Sequence, residues 1–218
     1  MKLLIAALAL VLTVSSSRAL DVVFTFTGIA MAGEPGETLG YNEGDIVTVQ
    51  LVMNGSAPGL EVGGGIDWLQ FDPADPILWK SITATGLTGS YVEPVEPYSY
   101  VLANDSGFFS FQASASDLDD NIGLLSPDGT LLLCVCADLN TETIFTEPAG
   151  NLTAEQYFAN YLGNVTVDPG MVFMMEGTGG VGMADFELTS FTISMVPEPT
   201  TGMLMGLGLT GLLLRRRR

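Results

Sequence analysis

From residue 21 onward, apolar and polar positions alternate along the chain. In DVVFTFTGI, Val22, Phe24 and Phe26 fall on one side, and in DIVTVQLVM the residues Val47, Val49, Leu51 and Met53 do the same. A two-residue period belongs to a half-buried β-strand, because successive side chains point to opposite faces of the sheet. Shorter runs rich in β-branched and aromatic residues predict further strands over 66–71, 77–85, 98–102, 108–114, 131–137, 171–176 and 186–196, punctuated by Gly, Pro, Asn and Asp. Many short strands at this spacing predict an all-β domain over residues 20–195, an antiparallel sandwich or jelly roll rather than a parallel α/β sheet.

Three segments depart from the strand period. In LTAEQYFANYLGN, Thr153 and Gln156 form a capping-box pair, Tyr157, Phe158, Tyr161 and Leu162 recur at helical spacing, and Gly163 is a stop. One short helix is expected there, packed on a sheet face or at an end of the sandwich. The prolines of VEPVEP, residues 92–97, forbid a central strand and predict a stiff loop. GTGGVG, residues 177–182, matches the dinucleotide fingerprint G-x-G-x-x-G. That motif works only where a helix follows and its amino end meets the phosphates; here MADFELTSFTISMV follows and reads as strand, so a hairpin loop is expected.

The two ends carry other patterns. Residues 1–19 hold Lys2, an apolar run over 3–12 and the ending Ser17-Arg18-Ala19, the order of a cleaved secretory signal peptide. A signal helix is expected there, with the mature chain starting at Leu20. The other end, VPEPTTGMLMGLGLTGLLLRRRR, joins a proline-flanked glutamate to an apolar run over 200–214 and four arginines. As a helix the run spans about 22 Å, short of the roughly 30 Å hydrocarbon core, a gap that bilayer thinning and arginine snorkelling can close. The arginines resist translocation, so a carboxyl-terminal transmembrane helix is expected with the domain outside the cytoplasm.

Charge narrows the functional classes. Setting aside the signal peptide and Arg215 to Arg218, Lys80 is the one basic residue against 25 acidic ones, a net charge of −24 compared with −18 for the whole chain. Such a surface repels phosphate backbones, which excludes nucleic acid as a partner and suits solubility, cations or basic partners. Histidine is absent from the sequence, so a Ser-His-Asp triad, a Cys-His pair and histidine metal ligation are excluded. Paired carboxylates can hydrolyse glycosides without histidine, but no spacing among the acids singles out an acid and a nucleophile.

The remaining candidates each have a plain structural reading beside the functional one. Cys134 and Cys136, in LLLCVCADL, share one face of a strand about 6.5 Å apart, a separation that strains a direct disulfide. They read as buried core thiols, with a redox or intermolecular role as the alternative. In SDLDDNIGLLSPD, Asp117, Asp119, Asn121 and Asp128 occupy positions one, three, five and twelve of a calcium loop, yet the glycine falls one place late at Gly123 and the twelfth residue is Asp rather than Glu. A solvated acidic loop is the plainer reading, and calcium is the one cofactor left open. Trp68 and Trp79 are positioned either to stack on a sugar or to fill a core. Sequons occur at Asn54, Asn104, Asn151 and Asn164.

The tail, in its order of VPEPTT, Gly-Leu-rich apolar run and arginine cluster, resembles the PEP-CTERM sorting signal of proteins exported by Gram-negative bacteria. The resemblance covers residues 196–218 and implies recognition by an exosortase, an integral-membrane cysteine transpeptidase-like enzyme that processes the tail and passes the protein to the surface or extracellular matrix, often alongside exopolysaccharide genes. By that resemblance Pro197, Glu198 and Pro199 are the recognition motif, Thr200 and Thr201 the small residues after it, and Arg215, Arg216, Arg217 and Arg218 the retention cluster. FTFTGIAMAG followed by YNEGDIVTVQLVMNG is similar to the opening of many proteins with this tail, which implies a shared β-rich start and no activity. The resulting expectation is a non-enzymatic, exported, acidic surface or matrix protein, structural or adhesive. The alternatives are a carbohydrate- or calcium-binding module in an exopolysaccharide matrix and a carboxylate-based glycan-active enzyme.

Overall fold

The alternation at the start of the domain becomes β1, Leu20–Ala30, in which Val22, Phe24 and Phe26 are completely buried. It is followed by β2 (Ile46–Met53), β3 (Gly59–Val62), β4 (Trp68–Phe71), β5 (Trp79–Ala84), β6 (Tyr100–Asn104), β7 (Phe108–Ser114) and β8 (Leu132–Asn140). The helix α1 (Ala154–Phe158) then precedes β9 (Gly163–Val165), β10 (Val172–Gly177) and β11 (Met183–Pro197). The computed structural model describes residues 20–33, 38–62, 68–71, 78–91, 100–104, 106–114, 123–145, 152–178 and 182–197. The residues of the expected signal peptide, the prolines of 92–97, Asp117, Asp119, Asn121, Glu198, Pro199 and Arg215 to Arg218 lie outside these residues, as do the segments in which the two terminal helices are expected.

The expected antiparallel all-β class with one short helix is present. The strands form one hydrogen-bonded sheet in the order β3-β4-β6-β7-β8-β10-β11-β1-β2-β5, with β9 pairing β11 beside this path. Although β8, β10 and β11 separate β7 from β1 along that path, Phe26 of β1 stacks on Phe111 of β7 at 4.4 Å and on Phe191 of β11 at 4.6 Å. The sheet therefore curls until its two halves face each other across an aromatic core. One continuous sheet packed on itself takes the place of two separate sheets.

Phe24 is the hub of that core. Its ring lies 5.0 Å from Phe158 of α1, 5.6 Å from Phe109 of β7 and 6.0 Å from Trp79 of β5. Full burial of one such side chain contributes about 1.5–3 kcal/mol, with edge-to-face geometry adding to it. Trp79 also donates its indole N–H to the Gln112 carbonyl of β7 at 3.1 Å, tying the two halves together. It is 2% exposed, so it is a core residue and is not available to stack on a sugar. Of Trp68, only the backbone placement in β4 is described.

The short segment TG in β1 has a steric reason. Pairing with β11 shifts register between Thr27 and Gly28, the signature of a bulge. A Cβ at Gly28 would sit 2.5 Å from the Phe173 ring and 2.8 Å from the Glu187 carbonyl oxygen, so only glycine lets β10 and β11 close over this position. The following GD belongs to the turn that leads into β2, where Asp45 Oδ2 accepts from the Asn42 backbone N–H at 2.8 Å.

Helix α1 starts as expected. Thr153 Oγ1 accepts from the Gln156 backbone N–H, and the Gln156 side chain accepts from the Thr153 N–H. The helix is a single turn and a half, and Gly163, expected to stop it, instead opens β9. Around the glycine-rich 177–182 segment, Gly177 N–H donates to the Gly182 carbonyl at 2.9 Å between β10 and β11, the hairpin closure anticipated there.

Candidate functional site

Two places on this scaffold hold unusual chemistry: the corner from which the tail departs, and the outward face of β8.

The corner is built from both ends of the domain. β11 pairs with β1 along its length, and the last pair is Leu20 with Pro197. Proline lacks an N–H and is tolerated at a strand end, where the missing donor breaks no ladder. Pro197 is thus held within β11.

Next to Leu20, the Asp21 carboxylate is 2% exposed and accepts from Lys80 Nζ at 2.7 Å, with Gly55 N–H at 3.5 Å from the same oxygen. A buried carboxylate needs such a partner, because desolvation otherwise costs several kcal/mol. A Cβ at Gly55 would lie 1.6 Å from the Leu20 carbonyl oxygen, so the 54–57 turn packs directly on the backbone that starts β1. The Ala57 and Gly55 carbonyls accept from Ala154 and Glu155 N–H at 2.8 Å each. They supply partners that the first turn of α1 cannot find within itself. The same turn uses the sequon at Asn54, which is 9% exposed and accepts from Ser56 N–H and Oγ at 3.1 and 2.8 Å.

The second place is on β8. Val135, Ala137 and Leu139 point into the core, and Cys134, Cys136 and Asp138 alternate onto the opposite face. The two thiols do share a face, but it is the outer one: Cys134 is buried, and Cys136 is half-buried. Their cross-strand partners are Glu176 and Met174 on β10, and Ser114 and Gln112 on β7. Cys136 opens into a cleft of about 380 Å³ lined also by Tyr100, Gln112, Asp138, Met171 and Met174.

The Cys134 S–H donates to Glu176 Oε2 at 3.5 Å, and Cys136 is its neighbour on the same strand face. The interaction with Cys136 and then burial push the Cys134 thiol well above its ordinary range. That same interaction holds Cys136 below the usual thiol value, against burial and the nearby carboxylates of Glu176, Asp138 and Asp185. Asp138 in turn accepts a short hydrogen bond from Ser110 Oγ, whose oxygen lies 3.4 Å from the Tyr100 hydroxyl.

Asp128, the described member of the calcium-loop pattern, caps a turn. Its Oδ1 accepts from Ser126 Oγ and from Thr130 N–H at 2.9 Å, and the Ser126 bond holds its carboxyl below the ordinary range. Among the described residues no group of three or more His, Cys, Asp or Glu side chains could hold a metal ion, and no helix is long and apolar enough to cross a membrane.

Residues 196–218 match the PEP-CTERM protein-sorting motif. The chain thus carries the sorting motif of exported proteins that an exosortase processes and that associate with the membrane through their carboxyl end. No curated protein and no solved structure matches the chain.

Sequence reasoning did not find the Asp21–Lys80 pair, although a lone lysine in so acidic a domain was the available signal. It also did not orient the β8 thiols. The alternation of Val135, Ala137 and Leu139 beside them was the clue to the opposite face.

Proposed function

We propose that this is an acidic surface or extracellular-matrix protein whose β-domain, sandwich-like in its packing, is a non-enzymatic structural or adhesive body delivered by its tail. The observation that carries this reading is the junction at Pro197: the sorting motif begins at residue 196, where β11 ends against Leu20. A signal peptide cleaved before Leu20 and a membrane segment after Pro199 leave from one corner. The domain then hangs from the membrane at a single point, first by both ends and, after signal cleavage, by the tail alone. Arg215 to Arg218 hold the tail on the cytoplasmic side. The remaining surface, with its large negative charge, stays free for basic or cation-bridged partners such as an extracellular polysaccharide matrix.

A sugar-binding role through Trp79 is not supported, since that ring fills the core. Calcium binding through the 117–128 loop is tested by the unfolding midpoint of the chain, which a bound ion raises by mass action.

The sorting reading is tested in a host carrying the exosortase. Glu198→Ala should leave a full-length, membrane-anchored protein, whereas serines in place of Arg215 to Arg218 should weaken retention and let precursor slip outward. Normal mass and normal surface delivery of the Glu198→Ala protein would leave only a plain tail anchor.

A further inference from the structure

From the arrangement on the outer face of β8 we infer a binding site for one soft monovalent cation, cuprous copper or silver, formed by Cys134, Cys136 and Met174. Three independent placements converge on it. Cys134 and Cys136 stand two residues apart on the same outward face of β8. Met174, the register partner of Cys136 on β10, shares that face and lines the same cleft as Cys136. Glu176 lies 3.5 Å from Cys134 Sγ, and Asp138 stands beside Cys136 on β8. Two thiols and a thioether form a soft donor set, and the neighbouring carboxylates supply a field that attracts a cation.

The donor set also selects among metals. Zinc in a structural site takes four Cys, His or carboxylate ligands, and no cluster of even three such residues exists among the described residues. Calcium and magnesium require oxygen cages that this face lacks. A cuprous ion is satisfied by two or three sulfurs, and methionine is among the ligands it accepts. Met171 is not needed, because its sulfur already accepts from the Asn140 backbone N–H at 3.4 Å. Binding involves no change of oxidation state. Each thiol that becomes a ligand gives its proton to solvent and its sulfur lone pair to the metal.

The site is reached from outside. The cleft at Cys136 is open, and Cys136 is its half-buried sulfur, so a cation meets Cys136 and Met174 first and recruits Cys134 behind them.

The test uses the full chain in detergent, reduced and held without oxygen, titrated with cuprous ion against the chelator bicinchoninate. One ion per chain should be retained, with a new near-ultraviolet thiolate-to-copper absorption. Cys136→Ser should abolish that absorption and weaken retention, and Met174→Leu, which conserves volume, should weaken it roughly tenfold while keeping the absorption. Near-ultraviolet circular dichroism reports whether each variant is folded. If Cys136→Ser does not fold, the Met174→Leu result decides. Failure of the wild-type chain to compete with the chelator, undiminished affinity in Met174→Leu, or displacement of the copper by equimolar zinc would each overturn the site.

Discussion

The corner at Leu20 and Pro197 and the cleft on β8 both lie on a strand of the same sheet, yet their sequences are put to opposite uses. At the corner, the polar and close-packed groups are tied down: Asp21 is paired with Lys80, Gly55 presses on the Leu20 backbone, and α1 draws its first hydrogen bonds from the same turn. In the cleft, sulfur and carboxylate groups face outward around an open space. A point of attachment that carries the whole domain has to resist local opening, and the tightness of the corner provides that. A face that exchanges a small ligand has to stay accessible, and its residues can vary at little cost in stability.

Substitutions should separate the two regions by size of effect. Gly55→Ala forces a Cβ into the Leu20 carbonyl and should destabilise the chain by about 3 kcal/mol in denaturant unfolding. Lys80→Met leaves the Asp21 carboxylate buried without its cation and should cost about 2 kcal/mol at neutral pH, with part of the loss recovered in Lys80→Met/Asp21→Asn. At the far end of β1, Tyr41 donates to the Thr85 carbonyl at 2.8 Å, and burial, then the charge of Asp45, pushes its hydroxyl up to about 12. A folded value above the unfolded one gives stability that is fully present below about pH 10 and lost as pH rises through about 12. Alkaline unfolding should therefore steepen across that window, and Tyr41→Phe should flatten it while costing about 1 kcal/mol at neutral pH. Cys136→Ser in the metal-free chain should change stability by no more than about 0.5 kcal/mol, as expected of a half-exposed outer position. If Cys136→Ser cost as much as Gly55→Ala, the contrast between a closed corner and an open cleft would be wrong.

The strands were legible wherever one face is buried and the other is wet. Val22, Phe24 and Phe26, and Val47 through Met53, marked β1 and β2 by period alone, while the bulge at Thr27 and Gly28 inside β1 was not legible. The short strands β3 and β9 escaped notice because three or four residues cannot display a period, and the Gly163 that opens β9 reads as a helix stop. The single continuous sheet was also hidden, because strand period does not record which strands neighbour each other. Trp79 and the β8 thiols show the same limit at the level of a site. The spacing of Cys134 and Cys136 gave a shared face, but which face depends on their neighbours Val135 and Ala137 winning the core. The tail was the opposite case: its three-part order is local, so 196–218 could be read without any fold.

The attachment corner is tested most directly by hydrogen exchange on the wild-type full chain. The amides of Asp21 to Val23 and of Ser194 to Val196 should be protected to within about tenfold of those at Phe24 and Phe26, because the β1–β11 ladder continues to the Leu20–Pro197 pair. Exchange of both terminal stretches at the rate of an unstructured peptide, with the centre of β1 still protected, would mean that the ends fray and that the tail does not leave the domain from a fixed point.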